Sequence, residues 1–217
     1  MYFKLMRNSL MRAILILSSV LFPVTYAAPV PESHILIAYF SRVGNTPFAD
    51  DVDAASGASI LVRDGKIVGN TAYIAEIIHK LTDGELYLIQ TAQLYPADFD
   101  VLREQNHRQQ DEETMPALVN LPPNLDGYDT IFVGYPNWAM HVPRPVISFL
   151  SAFDFSGKTV IPFCTHGGFG GSMTFPVVGL SAHGAKLGPG LTINDDDVLT
   201  ADDDVATWIE SLELTTP

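Results

Sequence analysis

The chain has 217 residues, of which 47% are hydrophobic and 17% are charged. This length and composition are typical of one folded domain with a sizeable core, and they argue against a disordered chain. The formal net charge of −13 argues against nucleic acid as a partner, because phosphate backbones attract lysine and arginine. Cys164 is the only cysteine, so the sequence predicts neither an intrachain disulfide nor a thiolate metal centre.

Residues 1–27 have the pattern of an export signal. Cationic residues precede a short apolar run, Ala13 to Phe22, and Thr25-Tyr26-Ala27 follows as a small-residue cleavage site. The run is too short to predict a membrane span, although a retained anchor is the alternative interpretation. We therefore expect cleavage after Ala27 and a periplasmic or secreted protein with no stable membrane span, folded as one domain over residues 34–215.

The first predicted strand, His34 to Phe40, is almost entirely apolar, which is typical of a strand covered on both faces. It leads into a polar loop, Ser41 to Thr46, which contains hydroxyls, an amide, a glycine and an arginine. Phosphate sites need such groups together with free backbone N–H donors and, ideally, a helix N-terminus. The loop therefore predicts an anion site only if later strands bring matching loops to the same edge.

An insertion, residues 47–68, separates this loop from the first helix. It begins with aspartates and continues into a predicted hairpin that turns at Asp64-Gly65. A second Gly-Asn-Thr triplet, Gly69-Asn70-Thr71, then opens a segment with apolar residues at helical spacing. Asn70 or Thr71 is the predicted N-cap of that helix.

Two Gly-Asn-Thr triplets compete for the same role. The first, Gly44 to Thr46, is followed by Pro47 and aspartates, whereas the second heads a periodic helix and so has the free N–H groups. We therefore predict that a phosphate binds between Ser41 and Arg42 on one side and Asn70 and Thr71 on the other. The first triplet is then a turn.

Strands and helices alternate along the rest of the chain. The further predicted strands are Glu85–Thr91, Thr130–Tyr135, Thr159–Cys164 and Ala185–Ile193. The further helices are predicted within 101–113, around 146–153, within 173–184, and after a capping box at Thr200–Asp203. This order predicts an α/β fold in three layers, doubly wound, with a five-stranded and mostly parallel sheet.

In such sheets a ligand binds beyond the carboxyl ends of the strands. The loops Pro136-Asn137-Trp138 and Thr165-His166-Gly167-Gly168 both follow predicted strands, so we expect them at the edge where Ser41 lies. Trp138 offers a flat apolar face for ring stacking, and a core aromatic is the alternative. His141 and His166 are candidates for proton transfer, but hydrogen-bonded loop histidines are the alternative. No catalytic residue and no metal site is predicted.

Four segments in this order, AYFSRVGNT, YPADFD, VGYPNWAMHVPRPVISFL and PFCTHGGFGGS, resemble those of the flavodoxin-like FMN-binding proteins. The resemblance is to the subgroup with an insertion in the first phosphate loop. It implies strand order 2-1-3-4-5 and FMN bound without a covalent link. The cofactor-binding residues that it implies are Ser41, Arg42, Gly69, Asn70, Thr71, Pro136, Asn137, Trp138, Thr165, His166, Gly167 and Gly168. Many relatives have a second aromatic residue or a glycine where this sequence has Ala139-Met140-His141.

The resemblance implies electron transfer, or NAD(P)H-dependent reduction of a quinone or another small acceptor, through the flavin. The expected partner is a redox protein, with a basic surface to suit the acidic chain, or a small quinone-like acceptor. An exported binding protein that keeps the fold without a cofactor is the alternative. The motif His166-Gly167-Gly168 also resembles an esterase oxyanion motif, but the sequence has no G-x-S-x-G nucleophile elbow.

Overall fold

The computed structural model describes residues 35–48, 59–171 and 173–214. The predicted export signal, residues 1–27, and residues 49–58 of the predicted insertion lie outside these ranges. The strands, in chain order, are β1 (Ile35–Tyr39), β2 (Ile60–Arg63), β3 (Lys66–Gly69), β4 (Glu85–Leu88), β5 (Gln90–Thr91), β6 (Leu118–Val119), β7 (Thr130–Pro136), β8 (Thr159–His166), β9 (Lys186–Leu187) and β10 (Leu191–Asn194). The α-helices are α1 (Asn70–Thr82), α2 (Phe99–Asp111), α3 (Arg144–Ser151), α4 (Thr174–Ser181) and α5 (Asp202–Ser211).

A parallel sheet forms the centre of the domain. Its strands lie in the order β4-β1-β7-β8-β10, and β9 also pairs with β8 in parallel. Counted along the chain this is the order 2-1-3-4-5, so the predicted fold class and strand order are confirmed. The order reverses between β1 and β7, and that reversal creates a crevice at the carboxyl ends of these two strands.

Alternating side chains on the strands divide the core into two layers. On one face Ile37 and Phe132 pack with α1 and α5. On the other face Ala38 and Val133 pack with α3, α4 and Leu102 of α2. Both faces of the sheet are covered, which explains why β1 and β7 are nearly continuous apolar runs. In the described ranges, no helix has the length and apolar character needed to cross a bilayer.

The predicted hairpin is present as β2 and β3, which pair antiparallel. Its turn residues Asp64 and Gly65 both have positive φ angles, 52° and 72°, as the two central residues of a type I′ turn require. The hairpin ends at Gly69, and the next residue begins α1. It therefore delivers the second Gly-Asn-Thr triplet directly to a helix N-terminus.

The predicted helix caps are wrong at both positions. Gly69 is the N-cap of α1, and no side chain caps that end, because Asn70 and Thr71 are already helical and buried. The predicted capping box before α5 is also wrong, since its N-cap is Ala201 and no side chain caps it. The hydroxyl of Thr200 instead donates to the carbonyl of Asp197, 3.1 Å away, within a 3-10 helix at Asp195–Thr200.

Several predicted strands have different bounds in the structure, and the one predicted over Ala185–Ile193 divides into β9 and β10. The strand predicted over Glu85–Thr91 divides at Ile89, and β5 pairs with β6 in a separate two-stranded sheet. The predicted strand Thr159–Cys164 continues to His166, because Thr165 and His166 pair with Ile193 and Asn194 of β10. Two residues assigned to the third loop by sequence therefore belong to the sheet.

Candidate functional site

The carboxyl ends of β1, β7 and β8 bring the three predicted loops to one edge of the sheet. The N–H of Phe40, at the end of β1, donates to the carbonyl of Gly134 in β7 at 2.8 Å. The N–H of Asn137, just beyond β7, donates to the carbonyl of Thr165 in β8, also at 2.8 Å. These backbone bonds fix where each loop leaves the sheet.

Ser41 lies directly against the start of α1. A Cβ atom built on Gly69 would fall 2.0 Å from the Ser41 hydroxyl, so only glycine at position 69 permits this approach. The hydroxyl is buried and has no hydrogen-bond partner among the residues that the structure describes. A buried hydroxyl without a partner costs free energy, and here it lies at the N-terminus of a helix, the end toward which backbone N–H groups point. The pair of residues is therefore suited to a small anion.

Thr71 connects this cradle to the third loop. Its hydroxyl lies 2.9 Å from the hydroxyl of Thr165, and both side chains are buried. Asn70 is buried as well, at the first position of α1. The structure thus brings together Ser41, Gly69, Asn70, Thr71 and Thr165, all of which were predicted as site residues.

The side chain of Arg42 contacts the segment that precedes α2. Its guanidinium donates to the carbonyls of Pro96 and Ala97, at 3.2 and 2.9 Å, and lies 4.8 Å from the ring centre of Phe48. Burial lowers the pKa of Arg42 to about 10, which still leaves it cationic at neutral pH. Arg42 therefore holds the segment before α2 against the first loop, a role that the sequence did not reveal. A contact of Arg42 with phosphate stays a prediction.

Asn45, in the first Gly-Asn-Thr triplet, is a structural residue. Its side-chain amide donates to the carbonyls of Ser41 and Ile89, at 2.9 and 3.0 Å. Its side-chain oxygen accepts from the N–H of Thr91 at 2.9 Å and from the Thr91 hydroxyl at 3.2 Å. The side chain joins the first loop to the end of β4 and to β5. Its donors and its acceptor are used within the fold.

Trp138 is packed into the core in this structure. It is 7% exposed, and its indole N–H donates to the hydroxyl of Ser59 at 3.0 Å. Phe40 and Tyr95 make edge-to-face contacts with it, with ring centres 5.3 and 5.4 Å away. This arrangement is the core aromatic that the sequence left open as an alternative to a stacking platform. A contact of Trp138 with FMN stays a prediction.

Asn137 has a free acceptor at the same edge. Its side-chain amide donates to the carbonyl of Gly170, which ties the middle loop to the third loop. Its side-chain oxygen is buried and accepts no hydrogen bond from the described part of the chain. A buried acceptor of this kind is suited to an N–H donor of a bound ligand. Pro136, the preceding residue, ends β7.

The two candidate histidines are both hydrogen-bonded to their own loops. Nδ1 of His166 accepts from the N–H of Gly168 at 3.1 Å, so the neutral ring has its proton on Nε2. Nδ1 of His141 donates to the carbonyl of Ala139 at 2.7 Å, so the neutral ring has its proton on Nδ1. In the neutral rings, Nε2 is therefore a hydrogen-bond donor on His166 and a hydrogen-bond acceptor on His141.

The third loop and the middle loop both contain residues with positive φ angles. Gly167 and Gly168 are exposed, and Gly168 has a φ of 95°, which suits the close backbone approach predicted for them. In the middle loop Ala139 and Met140 also have positive φ angles, 52° and 66°. They form a two-residue turn between Trp138 and His141, whose backbone groups hydrogen-bond to each other in both directions.

Residues 59–212 match the family model described as Flavodoxin. A structure from Bacteroides uniformis, classed as a flavoprotein, is 28% identical, with a TM-score of 0.63 over 82% of this chain and 98% of that one. A second, from Bacteroides eggerthii, is 25% identical, with the same TM-score of 0.63 over 83% and 98% of the two chains. A flavoprotein of Lactobacillus acidophilus in complex with FMN shares the fold, at 20% identity, a TM-score of 0.51, and 76% and 96% coverage. A comparison with curated proteins gives no significant match.

Proposed function

The chain belongs to the flavodoxin family, and we propose on this basis that it binds FMN without a covalent link and acts as a redox protein. The observation that supports this most directly is the buried Ser41 hydroxyl against Gly69. That hydroxyl has no partner within the described ranges, and it lies at the N-terminus of α1, where the resemblance implies a phosphate. The FMN complex of the Lactobacillus acidophilus flavoprotein, which has the same fold, is consistent with the proposal.

The phosphate group is assigned to the N-terminus of α1. Hydroxyls of Ser41 and Thr71 would donate to it, together with backbone N–H groups of the first helical turn. The helix dipole favours a dianion at this position. Arg42 adds a positive charge at the end of β1, because its lowered pKa, about 10, is still above neutral pH.

The ring is assigned to the space between the middle and third loops. Asn137 offers its unpartnered oxygen as an acceptor, and His166 offers its Nε2–H as a donor. Exposed backbone at Gly167 and Gly168 allows N–H groups to approach the ring edge. When bound, the flavin itself supplies the electron or hydride chemistry, and the residues of this chain bind, orient and tune it.

Two roles remain for the proposed flavoprotein, an electron carrier or an NAD(P)H-dependent reductase of a quinone or another small acceptor. The formal net charge of −13 favours a redox partner with a basic surface, since opposite charges speed association. Steady-state oxidation of NADH and NADPH, measured with a soluble quinone as acceptor, distinguishes the roles. A reductase turns over with NADH or NADPH and the quinone alone, whereas a carrier also requires a protein donor.

Export through the signal at residues 1–27 is part of the same proposal. Removal of that segment takes away cations and no acidic side chains, leaving 9 basic residues against the 25 acidic ones. Sec-type export threads an unfolded chain, so FMN would be acquired after translocation. The predicted insertion at residues 47–68 supports a further part of the proposal, that the protein belongs to the subgroup with an interrupted first phosphate loop.

The visible absorption spectrum of protein purified from its own compartment tests the function. Bound FMN gives an oxidised-flavin spectrum, and heat or acid then releases a flavin that chromatography identifies as FMN. A colourless protein that also fails to bind added FMN would support the alternative, an exported binding protein without a cofactor.

A further inference from the structure

Helix α4 exposes an apolar stripe to solvent. Met173, Pro176, Val177 and Leu180 have the spacing i, i+3, i+4 and i+7, which places them on one side of a helix. Met173 and Leu180 are each 77% exposed and Val177 is 42% exposed. The opposite side of the helix is buried through Val178, which belongs to the core beneath. The spacing that normally marks the buried side of a helix is thus repeated on its outer side.

The third loop, which precedes α4, carries a further exposed apolar side chain, Phe169, which is 70% exposed and four residues before Met173. Residues 159–185 contain no aspartate, glutamate, lysine or arginine, although the whole chain has 25 acidic residues. The apolar stripe is therefore an uncharged surface on an acidic protein. We call it the α4 surface: Phe169, Met173, Pro176, Val177 and Leu180.

We propose that the α4 surface binds the α4 surface of a second copy of this chain, related by a two-fold axis. A two-fold interface brings the same patch together from both copies, so the patch must be complementary to itself. An uncharged apolar stripe meets this condition. Residues 159–185 contain no lysine, arginine or carboxylate, so the interface would not bring like charges of the two copies together within this segment. Antiparallel packing of two α4 helices would cover Met173 of one copy with Leu180 of the other.

The exposed area sets the expected strength of the dimer. Side chains of this size and exposure present on the order of 500 Å² of apolar surface, which is close to the largest patch of a typical monomer. Two such patches bury on the order of 1,000 Å² together, the lower end of the range for specific interfaces. The dimer should therefore be weak, with monomer and dimer both present at roughly micromolar concentrations.

Charge distinguishes a second copy from a basic partner protein. A basic partner gains most where carboxylates lie, for example at Asp202–Asp204 of α5, and the α4 surface has none to offer. Two copies of an acidic chain repel one another at long range, and salt screens that repulsion. Self-association through the α4 surface should therefore strengthen as the salt concentration rises, whereas docking of a basic partner should weaken.

Sedimentation velocity over a concentration series tests the proposal, with the purified protein in low and high sodium chloride. We expect a dimer that increases with concentration and is favoured by high salt. The double variant Met173→Gln/Leu180→Gln should raise the dissociation constant at least about tenfold, because it removes two central apolar contacts. The matched control is Leu81→Gln, since Leu81 is 46% exposed on α1, across the sheet.

The proposal is overturned if the wild-type protein stays monomeric in high salt at concentrations well above micromolar. It is also overturned if the double variant, shown to be folded by circular dichroism, dimerises like the wild type. A dimer that dissociates as salt is added would mean that ion pairs hold it together, and that result excludes the α4 surface. Loss of the dimer in Leu81→Gln would place the interface on the opposite face.

Discussion

The hydroxyls of Thr71 and Thr165 lie 2.9 Å apart, and both are buried. One belongs to the first turn of α1 and the other to the end of β8, so this contact joins the second Gly-Asn-Thr triplet to the third loop. The residues are 94 positions apart in the chain. A ligand that contacts Thr71 therefore also lies close to the end of β8, next to the third loop, where we propose that the ring binds.

Replacing Thr71 with alanine should weaken FMN binding by roughly ten- to a hundred-fold. The reason is the loss of one hydrogen bond to a charged group, which is worth about 1.5–3 kcal/mol. Thr71 is not the N-cap of α1, and no side chain caps that end, so the helix should remain folded. Quenching of FMN fluorescence on titration with the variant gives the affinity directly.

Thr71→Ser and Thr46→Ala are the matched controls for this measurement. The serine variant keeps a hydroxyl and should bind nearly as well as the wild type. Thr46 lies in the first triplet, where the neighbouring Asn45 has a structural role, and its loss should do clearly less harm. If Thr46→Ala proves more damaging than Thr71→Ala in a folded protein, the phosphate lies in the first loop instead.

Gly69→Ala should destabilise the protein and weaken FMN binding. The new Cβ would lie 2.0 Å from the Ser41 hydroxyl, and overpacking of this kind typically costs about 1–3 kcal/mol. The double variant Ser41→Ala/Gly69→Ala should regain most of that stability, because it removes the clashing oxygen. It should not regain FMN affinity, because it also removes a phosphate donor.

Urea unfolding and FMN titration of both variants separate these two effects. Gly127→Ala is the control, because nothing lies within 4 Å of a Cβ at that position. Wild-type FMN affinity in the double variant would remove Ser41 from the phosphate site.

Asn45→Ala should lower the free energy of unfolding by on the order of 3 kcal/mol. The substitution leaves the buried carbonyls of Ser41 and Ile89 and the N–H of Thr91 without the partner that Asn45 provides, and each such loss is costly. Asn124→Ala should cost less than about 1 kcal/mol, since Asn124 is exposed and accepts one local hydrogen bond from Asp126. Equal losses in urea unfolding would contradict the structural role of Asn45.

The sheet could be predicted from sequence because its strands are buried on both faces. Continuous apolar runs mark β1, β7 and β8, and helical periodicity between them specifies parallel crossovers. Strand ends were less predictable, because they depend on distant partners. The strand predicted over Glu85–Thr91 divides at Ile89 because the side chain of Asn45 binds both Ile89 and Thr91. These two residues are 44 and 46 positions away from Asn45 in the chain.

The candidate site, like the sheet, could be predicted only in part from the sequence. The second triplet could be placed at a helix N-terminus, because the periodicity behind it is local information. The environments of Arg42 and Trp138 could not be read in the same way. Arg42 binds carbonyls 54 and 55 residues away, and Trp138 binds a hydroxyl 79 residues away. Such long-range contacts leave no pattern in the neighbouring sequence.

N-terminal sequencing of the exported protein should give a mature chain that begins near Ala28. The cationic, apolar and small-residue zones of residues 1–27 follow one another in the order that a signal peptidase recognises. A mature chain that begins at Met1 or Met11 would contradict cleavage and, with it, the proposed export.

Titration of the flavin-free protein with FMN and with FAD tests the central claim most directly. The cradle of Ser41, Gly69 and Thr71 suits a terminal phosphate, and the sequence has no G-x-G-x-x-G fingerprint for a pyrophosphate. We predict one FMN per chain, bound at least about tenfold more tightly than FAD, a difference of about 1.4 kcal/mol or more. Comparable affinities for the two flavins, or no binding of FMN, would contradict the account.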